Sequence, residues 1–129
     1  MTIRILVLSN NKDILESVKE ELSPLGHNVI TCTSSALAMF LSNKSFPSVV
    51  IADQATDSSA KEFIAQLKSD DQLSSIPVVV LSEPGDPTNW HSLGAAGCVI
   101  KPIKSGVLAY ELAPFLREVK DSRSAETPE

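Results

Sequence analysis

Residues 5–11 read Ile-Leu-Val-Leu-Ser-Asn-Asn, an unbroken apolar run that stops abruptly in a polar loop. Such a run, led in by Ile3, is the pattern of a strand buried on both faces, as in a parallel sheet. It recurs at Val29–Cys32, Val49–Ala52, Val78–Leu81 and Cys98–Ile100, so five strands are expected. Between them the apolar residues change to helical spacing: Ile14, Leu15, Val18 and Leu22, then Ala36, Leu37, Phe40 and Leu41, then Phe63, Ile64 and Leu67. A last set, Leu108, Leu112, Phe115, Leu116 and Val119, follows the fifth strand.

The punctuation agrees with these elements. Asn10 or Asn11 can cap the first helix, with Asp13 in its first turn, and Gly26 suits the position past its end. Ser34 can cap the second helix. Ser58 or Ser59 can cap the third, which Ser69, Asp70 and Asp71 close. Pro77 opens the fourth strand by forcing Ile76 extended. Glu83-Pro84-Gly85-Asp86-Pro87 is a turn, so the fourth helix is expected to be short, from Pro87 to Leu93, and ended by Gly94 and Gly97. Pro114 predicts a kink near Tyr110–Pro114, since an interior proline costs a helix about 3 kcal/mol.

Strict alternation of strand and helix gives a (βα)5 doubly wound parallel sheet, one α/β domain over residues 1–120. Residues 121–129 read as a disordered tail or the start of a linker. Ligands of such sheets bind outside the carboxyl ends of the strands. That rule selects Ser9–Asn11, Asp53–Ala55, Ser82 and Lys101, which should converge on one crevice.

Composition narrows the function. A chain of 129 residues, 43% hydrophobic and 21% charged, supports one core and excludes a two-domain enzyme. Eleven basic against sixteen acidic residues leave a net charge of -5, which argues against nucleic acid as a direct ligand. The apolar runs fall far short of the roughly 20 residues of a membrane span, and no leader precedes the first strand, so a cytoplasmic protein without membrane contact is expected. Cys32 and Cys98 form no Cys-x-x-Cys pair and read as buried thiols. His27 and His91 have no companion at metal-ligand spacing.

The pieces ILVLSNN, VVIAD (residues 49–53), VVVLS (78–82) and GAAGCVIKPI (94–103) together resemble a response-regulator receiver domain, of CheY-like, flavodoxin-like fold. The last piece is the most specific: Gly94-Ala95-Ala96-Gly97, then Lys101-Pro102 after the fifth strand. The resemblance implies a signalling module of a two-component phosphorelay and not a classical enzyme. It makes Asp53 the candidate phospho-acceptor for a histidine kinase, and Ser82 and Lys101 the contacts to the phosphoryl oxygens. It also implies a cis peptide before Pro102, which would turn Lys101 towards Asp53. In that family Mg2+ is held by two acids after the first strand, by the phospho-acceptor and by a backbone carbonyl, here that of Ala55. The acidic pair aligns with Ser9 and Asn10, both uncharged.

Charge bears on that difference. Three carboxylates and one lysine sum to -2 and call for a divalent cation, whereas Asp53 and Lys101 alone sum to zero. The expectation is therefore a pseudo-receiver that acts by protein-protein interaction, with no cofactor. The alternative is an atypical but competent receiver in which Asn10 or Asn11, Asp53 and the Ala55 carbonyl hold Mg2+ weakly and Asp53 is phosphorylated. A flavodoxin-like cofactor protein shares the architecture, but Ser9–Lys12 has neither the glycine nor the hydroxyls to cradle a phosphate.

Signalling residues follow from the same resemblance. The switch aromatic, three positions before the lysine, is replaced by Cys98, too small to act as the same steric lever. The partner, a histidine kinase or a downstream effector, or a second copy in a homodimer, would meet the face formed by the fourth helix, fifth strand and last helix. Trp90 and Tyr110 are the candidate contacts, although Trp90 reads more simply as a half-buried packing residue. Asp13 and Asp57 read as helix-dipole and turn residues.

Overall fold

A computed structural model describes residues 4–45, 47–54, 60–101 and 106–113. Five strands are present: β1 (Arg4–Leu8), β2 (Asn28–Cys32), β3 (Val49–Asp53), β4 (Val78–Ser82) and β5 (Gly97–Ile100). They form one parallel sheet of order β2-β1-β3-β4-β5. The helices are α1 (Lys12–Leu22), α2 (Ser35–Ser45), α3 (Ala60–Ser69) and α4, of which residues 107–113 are described.

Both faces of the sheet are covered, which is why its strands are apolar throughout. Leu6, Leu8, Val50, Ala52, Val78 and Val80 point to one side and pack with Ala38 of α2 and Phe63, Ile64 and Leu67 of α3. Ile5, Val7, Val49, Ile51, Val79 and Leu81 point to the other and meet Val18 and Leu22 of α1 and Leu108 and Leu112 of α4. The alternation along each strand is the period-2 geometry of the β backbone.

The helix starts follow the polar punctuation. Asn11 caps α1, its side chain accepting from the N–H of Asp13 and Ile14. The Ser34 hydroxyl accepts from Leu37 N at 3.0 Å, and a carboxylate of α1, Glu21, accepts from Ala109 N at 2.8 Å in the first turn of α4. A 3-10 turn, Ser23–Leu25, extends α1 before Gly26 ends it at φ 93°. The caps expected at Ser58 or Ser59, the turn residue Asp57, the peptide before Pro102, the kink at Pro114 and the tail over 121–129 lie outside the described residues.

The β4–β5 connection departs from expectation. No α-helix forms over Pro87–Leu93; a single 3-10 turn, His91–Leu93, is found there. Side chains hold this loop instead. Asp86 accepts from Thr88 N at 3.3 Å and Thr88 Oγ1 at 2.8 Å, and from the Trp90 indole N–H at 2.9 Å. With no helix to carry it outward, Trp90 folds onto the α3 side of the sheet and is only 4% exposed. Trp90 is thus a core residue, not the exposed partner anchor considered from the sequence. Its size drives the burial and Asp86 satisfies its one polar atom.

Candidate functional site at the carboxyl edge of the sheet

β1 lies between β2 and β3, so the connections leaving β1 and β3 diverge to opposite sides and open a crevice at their carboxyl ends. Ser9, one residue past β1, and Asp53, the last residue of β3, face each other there, and both are buried. Ser9 Oγ donates to Asp53 Oδ2 at 2.7 Å and accepts from Asn11 N at 3.0 Å. Asn10 is exposed. Ala55 lies outside the described residues.

Lys101 follows β5 and reaches back across β4. Its Nζ stands 2.7 Å from Asp53 Oδ1, the pairing expected of a lysine at this strand end. The pocket nevertheless holds a third charge beyond the Asp53 and Lys101 pair expected from the sequence. Glu83, the first residue after β4, places Oε2 2.7 Å from the same ammonium, so Asp53, Lys101 and Glu83 sum to -1. The Glu83 backbone is held in turn by Gln54, whose Oε1 accepts from Glu83 N at 2.7 Å. Burial alone would lower the Lys101 pKa, but hydrogen bonds to Asp53 and Glu83 and their negative charge outweigh it, and the value is raised.

Glu83 was missed, and Gln54, although inside the selected range Asp53–Ala55, was given no role. A glutamate beside Pro84 and Gly85 reads as a solvated turn residue. The usable signal was position: each directly follows a strand end that the carboxyl-edge rule had already selected.

Ser82 is buried at the end of β4, and its Oγ lies 3.2 Å from Cys98 Sγ. The switch position is therefore in direct contact with the candidate phosphoryl-contact hydroxyl. Cys98 is half-buried and not buried as expected, whereas Cys32 is buried with its thiol 3.5 Å from the Val7 carbonyl. Beside β5, Cys98, Val99, His91 and Glu111 line a groove of about 280 Å3. Ile100 (62% exposed) and Tyr110 (78% exposed) leave apolar surface on β5 and α4. His27 precedes β2, at the opposite edge of the sheet from Asp53.

Five parallel strands in the order 2-1-3-4-5, with an acid at the end of the third paired to a lysine after the fifth, define the class. The chain is a response-regulator receiver domain of the CheY-like type. It superimposes on the response regulator CheY4 of Vibrio cholerae with a TM-score of 0.82, at 21% identity, covering 89% of this chain and 99% of that one. A response regulator receiver domain protein from Clostridium thermocellum gives a TM-score of 0.78 at 26% identity, over 92% and 97% of the two chains. NtrX from Brucella abortus gives 0.83 at 27%, over 98% of this chain but 29% of that one.

More narrowly, residues 4–114 match the model of the family described as flagellar regulatory protein FleQ, and the chain belongs to that family. The "Probable transcriptional regulator ycf27" of Galdieria sulphuraria is 28% identical over 119 residues, 90% of this chain and 46% of that protein. The chain thus spans about half the length of this curated relative. Receiver domains are signalling modules that meet kinases or effectors. Among the described residues no helix is long and apolar enough to cross a membrane.

The fold family implies Mg2+ at this edge, and the described residues do not fit it. The ion binds through one or two free carboxylates plus phosphate oxygens and yields its waters reluctantly. Here both oxygens of Asp53 are engaged, one by an ammonium and one by the Ser9 hydroxyl, and Ser9 is further fixed by Asn11 N.

Proposed function

We propose that the chain is a pseudo-receiver: a two-component signalling module that works through protein-protein contact and not through Mg2+-dependent phosphorylation of Asp53. The observation that carries this reading is the Ser9 hydroxyl donating to Asp53 Oδ2 at 2.7 Å. A neutral donor there makes Asp53 a hydrogen-bonded structural node between β1, β3 and β5. A second acid would instead repel Asp53 and call for a cation. Phosphoryl transfer relies on positive charge over the transferring oxygens, and the one lysine in reach is shared between two carboxylates.

In this reading, Ser82 and Cys98 hold the β4 and β5 ends together without an aromatic switch. The partner, a histidine kinase, an effector or a second copy, meets the β5–α4 face through Ile100 and Tyr110 and not through Trp90. Residues 1–120 form the receiver unit and 121–129 lead out of it. This chain covers 46% of ycf27 and 29% of NtrX, so both relatives are longer than the unit described.

The test is intact-mass analysis after incubation with acetyl phosphate and Mg2+. No phosphoryl group is expected on the unmodified protein. Ser9→Asp combined with Asn10→Asp should create saturable Mg2+ binding, read by NMR shifts of the Asp53 amide. Uptake of one phosphoryl group by the unmodified protein, lost in Asp53→Asn, would establish the competent-receiver alternative.

A further inference from the structure

Lys101 carries two carboxylates of different character. Asp53 is buried, with a side chain 2% exposed, and it holds the inner side of the ammonium. Glu83 has a side chain 52% exposed, sits on the loop after β4, and takes the ammonium from the solvent side. An ammonium has three donors, and this second contact uses one that an external anion would otherwise find.

Exposed ion pairs are individually weak, about 0–1 kcal/mol, so the Glu83 arm can open. It is nonetheless tethered, and its backbone is pinned at 2.7 Å by Gln54 Oε1. A tethered group competes at an effective concentration of millimolar or above, set by its chain and not by the solution. A free oxyanion at lower concentration loses to it.

We propose that Glu83 is a built-in anion that occupies the solvent side of Lys101 and withholds this lysine from small oxyanions of the phosphate class. The inference rests on the pseudo-receiver reading and gives it a second cause, independent of Ser9 and Asn10. It also fixes where the block lies: in a single exposed side chain, whose removal takes the pocket from -1 to neutral.

The probe is inorganic phosphate at constant ionic strength, followed by NMR on the amides of Asp53, Glu83 and Lys101, with no metal or phosphodonor present. The unmodified protein should show no saturation. Glu83→Ala should bind phosphate saturably and about severalfold more tightly, and Glu83→Gln, which keeps the length but not the charge, should move in the same direction. Adding Lys101→Met to Glu83→Ala should remove the binding. If Glu83→Ala and the unmodified protein respond alike, whether both bind or neither does, Glu83 withholds nothing and the inference fails. That result leaves the pseudo-receiver reading standing, because only uptake of a phosphoryl group by the unmodified protein overturns it.

Discussion

The two halves of this sheet reach their shape by different means. From β1 to α3 the connections described are regular helices, capped by Asn11 and Ser34, and the backbone itself sets where Ser9 and Asp53 stand. From β4 to β5 the connection is a loop with a single 3-10 turn, in which acceptor side chains supplement a few backbone turn bonds. Asp86 gathers Thr88 and Trp90, Glu83 ties the loop to Lys101, and Gln54 ties it to β3. A helical connection spreads its stability over many backbone bonds. A loop held by side chains concentrates it in a few residues, so single substitutions there should cost more than on α1 or α2.

Trp90→Ala should show the difference most strongly. Removing a buried indole leaves a cavity over the sheet, and a loss of about 3–5 kcal/mol is expected from urea unfolding, with unchanged self-association in sedimentation. A small shift in unfolding midpoint with weakened association would instead return Trp90 to the partner face. Next comes Lys101→Met, which strands the buried Asp53 beside an apolar chain and should cost about 3 kcal/mol. The double change with Asp53→Asn should recover part of this, since most of the loss comes from the unpaired charge.

Gly94→Ala should follow at about 1–2 kcal/mol. Gly94 sits at φ +110°, where a side chain is strained, and an added Cβ would meet Lys68 Cγ at 3.2 Å. A neutral result in thermal unfolding would mean that the loop relaxes freely, contrary to the picture of a pinned connection.

The smallest effect is a pH dependence. The hydrogen bond from Thr88 leads in holding the Asp86 carboxyl below its usual value of 3.8, and the Trp90 indole adds to it against the opposing effect of burial. A depressed folded-state pKa contributes stability that is complete above the unfolded value and is lost as pH falls through the lower folded one. The difference in Tm between the unmodified protein and Asp86→Asn should therefore hold at neutral pH and shrink below about pH 3.8. A difference that persists into strong acid would show that the charge of Asp86 is not what pins the loop.

The sheet, its two covered faces and the meeting of Ser9, Asp53 and Lys101 were legible because each rests on a repeated or positional rule. Apolar runs separated by helical periods allow few topologies, and strand ends in such a fold converge. The β4–β5 loop was not legible in the same way. Trp90 carried two readings at once, and what decided between them was the non-local geometry of Asp86 turning back on the indole. Glu83 was harder to read for a related reason: its partner, Lys101, is distant in sequence, and nothing in a Pro-Gly turn marks a glutamate as reaching a strand-end lysine.

The position of β1 also has a consequence for how the chain comes together. A strand in the middle of a parallel sheet depends on neighbours that arrive later, and β1 needs β3, with Ser9 and Asp53 separated by 44 residues. During synthesis, β1, α1 and β2 emerge with one edge of this interior strand still open and its apolar side chains half covered. Closing that edge is a long-range step that must overcome loop entropy before any contact rewards it. Until then the nascent segment presents an unpaired apolar strand, the sort of surface that chaperones shield and that other chains can add to.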